Sequence, residues 1–238
     1  AVMSLQRKIF GRSNIGMMFV NKQSINYPQE NDSLTDIYSK YNRNLGVEYN
    51  LASANNAWNG KAFFLKSFAP TDDDSGFTQG AHLAYTSRKW NLRLQEEWVS
   101  NDYSAEVGFV RRRGYKNISG KAGHLFFPKA GPILSHGPEL NGFYYFNEQL
   151  KETDHTAYLA YKFDFRKRSS LLFFLSDDYV ELLSPFDPSG LGISNLTTGS
   201  QHNWNAFGWE FQSIPQSLFT YAFTGRLGGY YQDGSRTS

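Results

Sequence analysis

The sequence predicts an all-β fold: an antiparallel, up-and-down transmembrane β-barrel of about twelve strands. Three observations carry this. Apolar and polar residues alternate over segments of about ten residues, the pattern of a strand between an oily medium and a wet one. Aromatics make up 17% of the chain, with 20 Phe, 15 Tyr and 5 Trp, an excess that suits belts at two membrane interfaces. Short and long connections take turns along the chain, as periplasmic turns and extracellular loops do in bacterial outer-membrane barrels.

The elements follow in order. A first strand over Ala1 to Lys8 meets a tight turn at Gly11-Arg12-Ser13-Asn14, and a long polar loop runs from about Lys22 to Lys40. In Tyr41 to Leu51, Leu45, Val47, Tyr49 and Leu51 share a face with Tyr41 and Arg43, while Asn42, Asn44, Glu48 and Asn50 share the other. A short turn at Ala54-Asn55-Asn56 follows. Trp58 to Phe68 is mixed, because Phe63, Phe64 and Leu65 fill both faces; Lys66 is expected to snorkel. The connection Pro70 to Gly76 is longer, and Ser87-Arg88-Lys89 is tight. Between Trp90 and Ser100, Trp90 and Trp98 stand at opposite ends of one face, as two girdles require; Glu96 shares that face. Asn101 to Asn117 is long, Pro128 to Gly131 short, and Glu148 to Asp154 intermediate. His155 to Phe165 alternates cleanly, with Ala157, Leu159, Tyr161 and Phe163 against Thr156, Tyr158, Ala160, Lys162 and Asp164. After the tight turn at Arg166 to Ser169, Leu171 to Leu175 is apolar on both faces, which implies contact with a plug or another part of the protein. Asp177 to Ser200 reads as the longest loop, Ile214-Pro215-Gln216 as the last hairpin, and Gln216 to Leu227 as the last alternating strand.

The whole of 1–238 reads as one outer-membrane barrel domain. An even strand count would leave both ends on the extracellular side, so the chain is expected to be a segment of a larger barrel. No run of about eighteen apolar residues exists, which excludes a conventional helical span. Net charge is +2, with 24 basic and 22 acidic residues, and gives no nucleic-acid signal. Cysteine is absent, which excludes a disulfide scaffold, a thiolate metal site and a cysteine nucleophile.

Candidate chemistry is sparse. Arg111-Arg112-Arg113 reads as an anion or lipopolysaccharide contact at the outer rim, or as a solvated loop end. Asp72-Asp73-Asp74 lacks the alternating ligand spacing of a calcium loop. His82, His124, His136, His155 and His202 form no H-E-x-x-H pair, and no G-x-S-x-G elbow is present. No catalytic, cofactor or metal residue is therefore assigned. Glu48, Arg93, Glu97, Lys162, Asp164 and Arg226 are the polar lumen candidates, either a ladder of paired charges or a route for a solute.

Three stretches add a resemblance: Asn44 to Leu51, Gly80 to Trp90, and Glu106 to Arg112, clearest in the G-F-V-x-R run at Gly108 to Arg112. Together they resemble an uncharacterised family of large Gram-negative outer-membrane proteins. In that family a module similar to family 9 carbohydrate-binding domains precedes a C-terminal barrel, and the resemblance lies in the barrel. The family pattern has proline where this chain has Arg111. It implies an outer-membrane location, lipid as the surrounding partner, carbohydrate only through an upstream module absent from these residues, and no cofactor. The expected function is non-catalytic, in transport, assembly or surface carbohydrate handling. The alternatives are an outer-membrane hydrolase or carbohydrate-active enzyme with a lumen or loop site, and a soluble β-sandwich binding module.

Overall fold

The computed structural model describes residues 1–25, 27, 39–70, 76–192, 195–231 and 234–237. The aspartate run Asp72 to Asp74 and most of the loop between Lys22 and Lys40 lie outside them. The described chain is all-β. Its strands are β1 (Val2–Ile9), β2 (Ser13–Gln23), β3 (Tyr41–Ala52), β4 (Trp58–Phe68), β5 (Phe77–Thr86), β6 (Trp90–Val99), β7 (Tyr115–His124), β8 (Ile133–Asn147), β9 (Glu152–Phe165), β10 (Ser170–Glu181), β11 (Gln201–Gln212), β12 (Ala222–Gly229) and β13 (Ser235–Thr237). They form one 13-stranded antiparallel sheet, ordered β1 to β13 without a crossover.

Several expectations are corrected. The described strands number 13 where about twelve were expected, because the polar tail contains the short β13, paired to β12 from Leu227↔Thr237 to Gly229↔Ser235. The even count behind the segment reading therefore does not hold. The loop placed at Asp177 starts later: β10 runs on to Glu181, held by Asp178↔Thr156 on one side and Asp178↔Trp204 on the other. The last alternating strand begins at Ala222, not Gln216. Ser213 accepts Tyr221 into a closing pair, and Ser217 N–H bonds the Ile214 carbonyl, so residues 213–221 form the hairpin end. Loop parity is strict only in the first half. Residues 10–12, 53–57 and 87–89 are short and 24–40 and 100–114 are long, but 125–132 exceeds 148–151.

The chain divides into two compact units: Ala1–Ala84 with Gln95–Asn117 and Asn147–Leu150, and Tyr85–Leu94 with Ile118–Phe146 and Lys151–Ser238.

In the first unit, register sets the two faces. Phe19↔Leu45↔Lys66 and Met17↔Val47↔Phe64 share one face; Val20↔Asn44↔Ser67 and Gly16↔Glu48↔Phe63 share the other. The apolar face is the exposed one: Met17, Leu45, Val47 and Phe64 are all exposed. The buried side chains are polar, with Asn42 and Ser67 at 0% and Asn44 at 4% exposure. Lys66 does reach along the apolar face, its ammonium 5.7 Å from the Phe68 ring centre.

The second unit repeats the arrangement. Leu140↔Leu159↔Leu175↔Phe207 runs across one face, and Asn141↔Tyr158↔Ser176↔Ala206 across the other. Leu140, Leu159, Leu175 and Phe207 are exposed, whereas Asn141, Ala160 and Ala206 are buried. Rings border the apolar band at both ends. Trp90, His124, Phe126 and His136 form a chain with centroid distances of 4.4, 4.6 and 5.4 Å, continued by Tyr161 and Phe163. At the other end Tyr144, His155 and Tyr179 stand 5.2 and 5.6 Å apart. Eight residues of β9 separate His155 from Phe163, roughly 27 Å of strand, close to the height of a membrane's apolar band.

Candidate functional site: a polar face crossed by the β6–β7 connection

Polar side chains line the buried face of the first unit, and residues 100–114 fold over them. Each attachment is local. Asn42 Nδ2 donates to the Ser104 carbonyl at 3.2 Å, and Asn42 Oδ1 accepts Glu106 N–H at 3.2 Å. Ser67 Oγ accepts Ser104 N–H at 3.1 Å. Asn44 Nδ2 donates to Asn42 Oδ1 at 2.8 Å, so the alternation of β3 stacks two amides beneath the connection. Asn44 Oδ1 is buried and has no hydrogen-bond partner among the described residues.

Charge and burial complete the attachment. Lys22 forms an ion pair with Glu106. Burial alone would raise the Glu106 carboxyl, but hydrogen bonds from Lys22 and Ser39 outweigh it and hold the group below its ordinary value. Tyr103 is buried, and burial pushes its phenol up. The neck is tied at Asn101, whose backbone N–H and side-chain amide donate to the Glu148 carboxylate at 2.9 and 2.6 Å. Opposite it Gly114 has φ +68°, and a Cβ there would lie 1.9 Å from Asn101 Oδ1. Only glycine meets both demands.

The connection leaves a cavity of about 630 Å³ between itself and the sheet. Met18, Val20, Asn44, Leu65, Glu97 and Tyr115 come from the strands, and Val107 to Arg112 from the connection. Two of the three predicted rim arginines, exposed Arg111 and half-buried Arg112, thus line a cavity; Arg113, also exposed, does not. The Arg112 guanidinium lies 5.6 Å from the Tyr115 ring centre, and Tyr115 OH donates to Glu97 at 2.9 Å.

The other predicted polar residues lie outside that cavity's lining, and three of them form ion pairs. Glu48 meets Lys61 at 2.6 Å and accepts from Asn50 at 3.0 Å. Lys162 meets Asp164 at 3.0 Å, and Asp164 accepts from Ser135. Arg226 donates to the Gly229 and Arg236 carbonyls. Arg93 sits on β6 in the second unit. Sequence reasoning missed Lys61, Lys121 and Glu139, although Lys121 and Glu139 pair at 2.6 Å. Their period-two spacing on β4, β7 and β8 was the available signal.

His136, His155 and His202 form no serine–histidine–carboxylate set. His155 holds Glu152 at 2.6 Å through Nδ1 and Asp177 at 3.2 Å through Nε2, so both ring nitrogens face carboxylates and no serine. His202 Nε2 lies 2.9 Å from Ser200 Oγ, but no carboxylate is bonded to that ring. No group of three acidic or histidine side chains could hold a metal among the described residues.

No family model, no curated protein and no solved structure matches this chain.

Proposed function

We propose that this chain is an integral β-barrel protein of a Gram-negative outer membrane, non-catalytic, that passes or sorts small solutes along a polar interior constricted by residues 100–114. The observation that carries the reading is the inverted burial. In a water-soluble sheet protein, apolar side chains would be inside. Here Val47 and Leu159 are exposed at 46% and 54%, while Asn42 and Ser67 are wholly buried. A sheet with an exposed apolar band, ring belts at both ends of it and paired charges on its other face fits lipid outside and water inside. Closure into a barrel follows from the same medium, since unpaired edge groups in hydrocarbon cost several kcal/mol each. The expected surroundings are outer-membrane lipid. The resemblance to the large outer-membrane family agrees with this location, and carbohydrate enters only through that family's separate module.

The test is phase partition followed by transport. The chain refolded from denaturant should enter the detergent-rich phase and make lipid vesicles permeable to small sugars but not to large ones. Recovery in the aqueous phase with unchanged vesicle permeability would contradict the proposal.

A further inference from the structure

We propose that a small cavity in the second unit, beneath Tyr231, binds one neutral sugar ring, with aromatic rings against its C–H face and Trp204, Tyr231 and Asp178 at its hydroxyls. This deepens the transport reading and takes from it only that this face of the sheet is the wet one. The site is built by register. Phe143, Thr156, Asp178 and Trp204 stand opposite one another across β8, β9, β10 and β11. Tyr145, Asp154, Val180 and His202 form the next row on the same face. The row on the other side holds Asn141 and Ala206, both buried, so the site continues the polar face and not the exposed apolar one. Tyr231, just beyond β12, lies over Trp204 with ring centres 4.8 Å apart. A Cβ at Gly229 would be 2.6 Å from Trp204 Cβ, so a glycine there lets the chain pass that closely. The cavity they enclose measures about 230 Å³, below the size of sites for drug-sized ligands and suited to a single sugar ring.

The hydrogen-bond pattern selects the ligand. Asp178 is fixed from both sides: Oδ1 accepts from the Thr156 hydroxyl and Oδ2 from the Ser176 hydroxyl, each at 2.9 Å. Each carboxylate oxygen has two lone pairs, so both still accept. The Trp204 indole N–H and the Tyr231 hydroxyl line the cavity and have no hydrogen-bond partner among the described residues. Burial first, then the Tyr230 phenol and the Asp154 and Asp178 carboxylates, push the Tyr231 phenol up, so it stays a neutral donor. The cavity thus offers two donors and one oriented acceptor beside ring faces. A sugar hydroxyl both donates and accepts, and the C–H face of a sugar ring suits the negative face of an aromatic one. A quaternary ammonium has nothing to accept from Trp204 and Tyr231, an apolar ring leaves all three groups unpaired, and an anion faces the Asp178 carboxylate.

The experiment uses the full chain, refolded in a polyoxyethylene detergent, which carries no sugar, and confirmed folded by its β circular dichroism. Saturation-transfer NMR reads the binding of the methyl glycosides of glucose, galactose and mannose; choline and cyclohexanol are the competitors. Saturation of at least one glycoside is expected, strongest at its ring C–H protons, and neither competitor should reduce it at equal concentration. Tyr231→Phe removes one hydroxyl and Asp178→Asn one charge at constant shape; each should weaken binding about fivefold to tenfold. Trp204→Leu should weaken it about tenfold or more. Glu210→Gln, on the same face of β11 but outside the cavity, should leave it unchanged. Equal displacement by choline or cyclohexanol, or full binding by the folded Trp204→Leu or Asp178→Asn chain, would overturn the inference. A chain that enters the detergent phase yet shows no saturation of any glycoside defeats this inference alone. A chain that stays in the aqueous phase defeats the membrane reading whatever it binds.

Discussion

In the first unit, small amides and hydroxyls cover the polar face: Asn42 and Ser67 hold Ser104 and Glu106 of the connection by individual hydrogen bonds, and Asn44 braces Asn42. In the second unit, rings lie on glycines. A Cβ at Gly208 would be 2.2 Å from Phe174 Cζ, and one at Gly225 2.1 Å from Trp209 Cζ2, on the opposite face. The first covering can exchange with water bond by bond, since each bond is worth only about 1 kcal/mol net. The second is a packed contact that yields only if a ring leaves its rotamer. The difference assigns movement to the covering by residues 100–114 and rigidity to the ring contacts, of which the first unit holds one as well, with Phe63 2.8 Å from where a Gly80 Cβ would lie.

The largest expected effects probe what the units share. Val47→Arg and Leu159→Arg should each cost roughly 2–4 kcal/mol, measured by denaturant unfolding from vesicles, because in the proposed barrel both exposed positions would face the apolar band of the membrane. A loss at one position only would separate the units. Next comes the packing contrast. Gly208→Ala should cost about 1–3 kcal/mol through the displaced Phe174 ring. Gly16→Ala should be close to neutral, because the nearest atom to its Cβ, at 3.0 Å, belongs to the flexible Glu48 side chain. Equal costs would remove the distinction.

Smaller effects sharpen the account of the connection. Asn42→Leu deletes the donor to Ser104 and the acceptor for Glu106 and should cost about 1–3 kcal/mol locally. Amide exchange should rise at residues 103–106 and stay unchanged in β10 and β11. The smallest effect is acid release. The Glu106 carboxyl is lowered in the folded chain. Its contribution is therefore complete above the ordinary glutamate value of about 4.3 and is lost as pH falls through the lower folded value. Exchange in 100–114 should rise over that window, and Glu106→Gln should abolish the pH dependence.

The strands were legible because each alternation is a local property: Tyr41 to Leu51 and His155 to Phe165 form β3 and β9 with the faces their spacing implies. The ends were less so. Asp177 and Asp178 looked like loop, but Thr156 donates to Asp178 and Ser176 bonds it too, so carboxylates continue the ladder. Leu171 to Leu175, apolar on both faces, was explained by Gly208, a partner 34 residues beyond Phe174 that spacing along the strand does not reveal. The cavity was hidden for the same reason. Arg111 and Arg112 were visible as charge, but their placement depends on Asn42, Ser67 and Lys22, which look like ordinary strand and loop residues in the sequence.

The central claim is that the exposed apolar face lies in lipid while the other face is wet. The chain has no cysteine, so each introduced one is unique. Val47→Cys and Leu159→Cys on the apolar face, and Lys61→Cys and Thr224→Cys on the polar face, would carry an environment-sensitive fluorophore in vesicles of brominated lipid. Strong quenching is expected at Val47 and Leu159 and little at Lys61 and Thr224. Uniform quenching, or the reverse pattern, would contradict it.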